Sequence, residues 1–174
     1  MRDLTATLRS LHGDRVGAAI HELHRAENDL AGALLRLADR HEVDHEILHV
    51  ARDVAGWSQD HVRRLAEAGR GYGLDLDPGP EDDAGLLGRL RQKGSELTGR
   101  FHAPGLLLLA DLRHLHTTAA GVSLDWDVLA QTALAVQDRE LLELAHDCLA
   151  QTKRQVAWTE AKVKDTAAQV MVTG

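Results

Sequence analysis

The side chains in this sequence that could do chemistry collect around one carboxylate. Ile20, Leu23, Glu27, Leu30, Leu34 and Leu37 recur at steps of three and four, the seam of a core-facing helix, so Glu27 takes an inward position among leucines. An ionised carboxylate away from water needs a counter-charge, hydrogen-bond donors or a metal; otherwise it stays protonated. A second inward line, Ile47, Ala51, Val54, Ser58, His61, Leu65 and Ala68, carries an imidazole. Helices joined near residue 42 run antiparallel, which sets Glu27 level with positions 57 to 61 and predicts Glu27 and His61 as a buried polar pair. Such a pair shares a proton or forms an ion pair, and each partner lowers the other's burial cost. Fixing helix register is the favoured role, and no residue is assigned to catalysis.

Other groups compete for attention. Two Glu-x-x-His matches, Glu46/His49 and Glu143/His146, have the spacing of carboxylate-bridged metal sites in bundles. Helical phase at about 100° per residue puts both on outward faces, because turning them in would turn Leu65, Val54, Leu149 and Val156 out. His41, His45 and His49 follow one another at i, i+4, i+8 and read as a polar helix face. Asp111 and His116 flank the apolar line of a third helix. Recruited inward, they would join Glu27 and His61 in a four-ligand site for one iron or manganese ion, the basis of a metal-dependent oxidoreductase reading. A third reading makes Trp57, Ser58, Ala119 and Thr152 the lining of a pocket for a small apolar ligand, or for a haem with His61 as axial ligand.

The elements that must position these residues are all helical. Leu and Ala dominate, aromatic residues are 3%, and there are three prolines in 174 residues, a length suited to one domain. The first helix starts near Leu4 or, with Asp14 as N-cap, at Arg15, and ends near Arg40. Residues 69–83, rich in Gly, Pro and acids, read as an exposed crossover, followed by a short extra helix over residues 84–98. Pro104 opens a third helix with Leu108, Leu112, Leu115, Ala119, Val122, Trp126, Leu129, Ala133 and Val136 inward. After a turn at Gln137-Asp138, a fourth carries Leu142, Ala145, Leu149, Thr152, Val156, Thr159, Val163 and Ala167. Four long helices with one longer crossover predict an all-α, ferritin-like four-helix bundle.

Composition narrows the partners. The net charge is −7 and the basic residues are scattered, which argues against nucleic acid and anionic membrane surfaces. The longest apolar run is too short to span a bilayer, and the single cysteine, Cys148, fits a reducing cytoplasmic setting as a small buried residue. A homo-oligomer is expected.

The segments LHRAENDLAGALLRLADRH and WSQDHVRRLAEAGRGYGLDLD resemble the ferritin-like bacterial stress-response proteins of the YciF and YciE type. Ala26-Glu27 matches that family's Ala-Glu pair, and His61-Val62-Arg63-Arg64-Leu65 its second-helix motif. WDVLAQTALAVQD and LAQTKRQ resemble the third and fourth helices, so the likeness covers about residues 20 to 165. The resemblance implies a dinuclear metal centre, of which this chain keeps Glu27 and His61. The helix-two carboxylate falls at Trp57 or Ser58, the helix-three Glu-His pair at Ala119 and Ala120, and the helix-four pair at Gln151 and Thr152. It therefore implies a stress-associated bundle with a degenerate metal site and a structural or interaction role.

Overall fold

The computed structural model describes residues 2–79 and 104–173, and all regular structure among them is helical. Four helices follow in order: α1 (Arg2–Arg40), α2 (His45–Arg70), α3 (Pro104–Val136) and α4 (Arg139–Thr173). No helix among the described residues is long and apolar enough to cross a membrane.

The inward line of α1 is fully realised: Ile20, Leu23, Leu30, Leu34 and Leu37 are buried, joined by Val16. Each such leucine stabilises the fold by about 1.5–3 kcal/mol relative to an exposed position. α1 is continuous from Arg2, so neither a start at Arg15 nor an Asp14 cap is found. A glycine inside a helix costs only about 1 kcal/mol, too little for Gly13 to stop one whose core face resumes at Val16.

Asp44 ends the α1–α2 turn and caps α2, its Oδ1 accepting from the backbone N–H groups of Glu46 and Ile47. Asp44→Ala is expected to lower stability by about 1 kcal/mol, read as a lower urea midpoint at unchanged slope. α2 runs to Arg70, so Gly69 and Arg70 are helical and the crossover begins at Gly71. Gly73, at φ +75°, turns the chain so that Leu74 and Leu76 fold back onto Gly69; a Cβ there would meet each at 3.3 Å. The short helix read over residues 84–98 lies outside the described residues.

Pairings across the bundle set its topology. α1 packs on α2 and α3, α3 on α4, and α4 more sparsely on α2. Arg40 meets Asp111 while Glu27 meets Trp126, so α3 is antiparallel to α1. Arg64 meets Asp147 and Ser58 meets Gln155, so α4 is antiparallel to α2. α2 and α3 therefore run parallel, and the end of α2 and the start of α3 lie at opposite ends of the bundle.

α4 differs from expectation by about one residue of rotation. Its buried line is Leu141, Ala145, Cys148, Leu149, Thr152, Gln155, Thr159 and Thr166, so Ala145, Leu149, Thr152 and Thr159 lie inward as expected, whereas Leu142, Val156, Val163 and Ala167 are only half-buried. Gln155 turns inward because its amide finds partners there, and the small Cys148 and Thr152 leave volume for larger rings opposite. Asp138 fixes the start of α4: its carboxylate accepts from the Leu141 N–H and from the Tyr72 hydroxyl, tying the end of α2 to the α3–α4 turn. Burial, then Asp138, pushes the Tyr72 phenol well above its usual value.

Candidate functional site: a polar layer through the bundle core

Each helix contributes one side chain to a polar layer at the centre of the bundle. Glu27 of α1 is fully buried, and its Oε1 accepts two hydrogen bonds: from His61 Nδ1 of α2 at 2.8 Å and from the indole N–H of Trp126 of α3 at 2.6 Å. His61 Nε2 faces Gln151 Oε1 of α4 at 2.7 Å. The Trp126 ring stands edge-on to the imidazole, centroids 5.5 Å apart at 81°. Below this layer, Gln155 Nε2 donates to the Val54 carbonyl at 2.8 Å and to Ser58 Oγ at 3.0 Å, which fixes the orientation of its amide. Thr152 returns its hydroxyl to the Cys148 carbonyl.

With both ring nitrogens facing oxygen acceptors, His61 carries both protons. Burial by itself would lower its pKa. Its contacts with Cys148 and with Glu27 outweigh burial and raise it to about 10. The pair is therefore an imidazolium held against a carboxylate. Such a raised pKa stabilises the fold fully below the unfolded value of 6.5, and that contribution is lost as pH rises through about 10. The urea midpoint should accordingly fall across this window in the native chain, and a Glu27→Leu/His61→Leu variant should show a flatter profile between the same limits. Equal slopes in the two proteins would show that His61 does not titrate as described.

The layer is closed to ligands. Both imidazole nitrogens are engaged, so none is free to be an axial ligand to haem. Ser58, Ala119 and Thr152 have no accessible surface, so no water-sized void borders them; Trp57 is half-buried and Ala120 exposed. The expected central pocket is thus filled. Trp126, fully buried, and the inward Gln155 supply the bulk. Glu27 Oε2 and Gln155 Oε1 are buried without hydrogen-bond partners.

The four-ligand metal site is not assembled. Asp111 sits at the far end of the bundle, where its carboxylate accepts from Arg40 at 2.9 and 3.0 Å and from His41 at 2.9 Å. Burial would raise the Asp111 pKa, but His41 and Arg40 together hold it below the usual carboxylate range. Thirteen residues separate Glu27 from Arg40, about 20 Å along α1 at 1.5 Å per residue. His116 donates from Nδ1 to Thr159 Oγ1 at 3.1 Å, about 15 Å along α3 from Trp126. Helix phase explains the difference, since Asp111 and His116 stay at the edges of the α3 stripe while Leu112 and Leu115 take the core. Among the described residues, no group of three or more His, Cys, Asp or Glu could hold a metal ion.

The surface motifs remain at the surface. Glu46, His49, Glu143 and His146 are exposed, and Glu46 pairs with Lys162. The histidine row is divided: His45 and His49 stack with ring centroids 6.3 Å apart, while His41 turns to Asp111.

Sequence reasoning did not assign Trp126, Gln151 and Gln155 to the layer. One signal pointed to Trp126: a buried indole N–H needs an acceptor, and Glu27 was the one carboxylate placed inward. Compared with known protein families, curated proteins and solved structures, the chain finds no match.

Proposed function

We propose that this chain is a non-catalytic, ferritin-like bundle protein with a structural or interaction role, in which a hydrogen-bonded ion pair stands where relatives of the stress-response type hold metal. The up-down-down-up helix order with one long crossover supports the ferritin-like part of this reading. The observation that carries the loss of metal chemistry is the mutual engagement of Glu27 and His61, completed by Trp126 and Gln151. A dinuclear centre needs about four carboxylates and two histidines. Ser58, Ala119, Ala120, Gln151 and Thr152 occupy the positions that would supply most of them, so the residues present do not fit it. The cytoplasm, with its reducing milieu, suits a chain whose single cysteine is buried and free.

In this reading the layer sets register. One polar side chain from each of four helices meets at a single level, and sliding any helix by a turn would strand a buried charge or an indole N–H. The test is elemental analysis of untagged protein expressed with iron and manganese supplied. Sub-stoichiometric metal that is unchanged by Glu27→Ala is the expected result. Two equivalents per chain, lost on that substitution, would overturn the reading.

A further inference from the structure

Among the described residues, every other helix begins or ends where α1 reaches Val16 and Gly17, and α1 alone continues. Val16 lies beside Val136, the last residue of α3, in one groove, and Gly17 faces Tyr72 and Leu74 just beyond the end of α2. Residues 2–15 of α1 therefore project about 20 Å past the bundle at 1.5 Å per residue. A helix of that length is marginal in water unless an apolar face is covered. The sequence supplies such a face: Leu4, Leu8 and Leu11 recur at steps of four and three, and the next step of four is Arg15.

Arg15 also lines an open groove of about 540 Å³ between α1 and α3, whose floor is Val16, Leu124, Val128, Ala135 and Val136. Leu124 and Val128 are 63% and 51% exposed, although both are large and apolar. The groove follows α3 from residue 124 to 136, about 18 Å, close to the length of the projection. Its surroundings are acidic: Asp127 is in the lining, and Asp125 lies near enough to Glu22 of α1 that burial and then that like charge raise its pKa. The projecting stretch instead carries Arg2, Arg9 and Arg15 against Asp3 and Asp14, in a chain of net charge −7. In sequence phase the leucine line thus runs on to Arg15 at the edge of the groove, and the helical extension and the groove match in length and differ in the sign of their net charge. A patch of this kind is self-complementary about a two-fold axis.

We propose that this face is a homodimer interface in which the projecting α1 helix of each protomer lies in the α1–α3 groove of the other. The proposal does not depend on the state of the buried polar layer. It is tested by sedimentation velocity on the full chain across the micromolar range, with far-UV circular dichroism to follow folding. The native chain should sediment as a dimer. Val128→Asp in the groove and Leu8→Asp on the projection should each weaken dimerisation by about a hundredfold or more, the scale of losing a buried interface anchor. Val43→Asp, at a residue 90% exposed at the opposite end of the bundle, should leave the dimer intact. Mixing the Leu8→Asp and Val128→Asp chains should restore dimer in part, because one ridge and one groove in the mixed pair are native. A native chain that stays monomeric throughout overturns the proposal. So does a dimer that survives both interface substitutions, or one dissociated equally by Val43→Asp. Helical signal retained by Val128→Asp separates dissociation from unfolding.

Discussion

His61→Leu lowers the stability of this protein by about 3–5 kcal/mol, the cost of leaving a buried carboxylate without its counter-charge. Glu27 has no route to water: its side chain is fully buried, Oε2 is already without a partner, and after the substitution Oε1 keeps only the Trp126 N–H. The informative comparison is the double variant Glu27→Leu/His61→Leu. Leucine at position 27 completes the α1 stripe, and replacing a buried ion pair by apolar side chains of similar volume is commonly neutral or stabilising by about 1–4 kcal/mol. Urea unfolding of the single and double variants checks both values. A single variant as stable as the native chain would mean that Glu27 is neutral or solvated. A double variant as unstable as His61→Leu would mean that packing, rather than charge, sets the cost. If the layer pins register, the double variant also gives broader or duplicated amide resonances despite its recovered stability.

Trp126→Ala is the second large effect, about 3–5 kcal/mol, because it deletes the largest fully buried side chain of the core. Trp126→Phe separates volume from hydrogen bonding. It keeps most of the ring packing against His61 but removes the donor at 2.6 Å from Glu27, at a cost of about 1.5–3 kcal/mol for a hydrogen bond to a charged group. In the Glu27→Leu/His61→Leu background that donor has no carboxylate to serve, so the cost of Trp126→Phe should shrink markedly. An unchanged cost in the two backgrounds would show that the indole is retained for its shape alone.

Local pattern carried much of the architecture. The inward lines of α1, α2 and α3 follow from steps of three and four among apolar residues, since burying a leucine outweighs any other local preference at those positions. The meeting of Glu27 and His61 was readable because a short turn joins α1 to α2, which converts distance along the chain into height along the bundle. The same arithmetic fails between α1 and α3. A long crossover separates them, so nothing local sets their relative height or rotation, and the need of the Trp126 indole for an acceptor could not be matched to the level of Glu27. α4 shows the other limit: of the clean apolar repeat Leu142, Leu149, Val156 and Val163 only Leu149 is buried, and Gln155 takes the core beside it because Val54 and Ser58 offer its amide partners across the bundle.

Residue type and spacing by themselves determined an all-α chain, the faces that α1 to α3 bury, and an acid and an imidazole brought to one level. Both kinds of information are periodic and short-range, set by helix geometry and a tight turn. Tertiary structure alone decided that Trp126 and Gln151 close the layer, that Asp111 and His116 are spent on Arg40, His41 and Thr159, and that α1 outruns its bundle. Those outcomes depend on how whole helices rotate and slide against one another, and that is settled by the sum of packing and hydrogen-bond satisfaction over every helix pair at once.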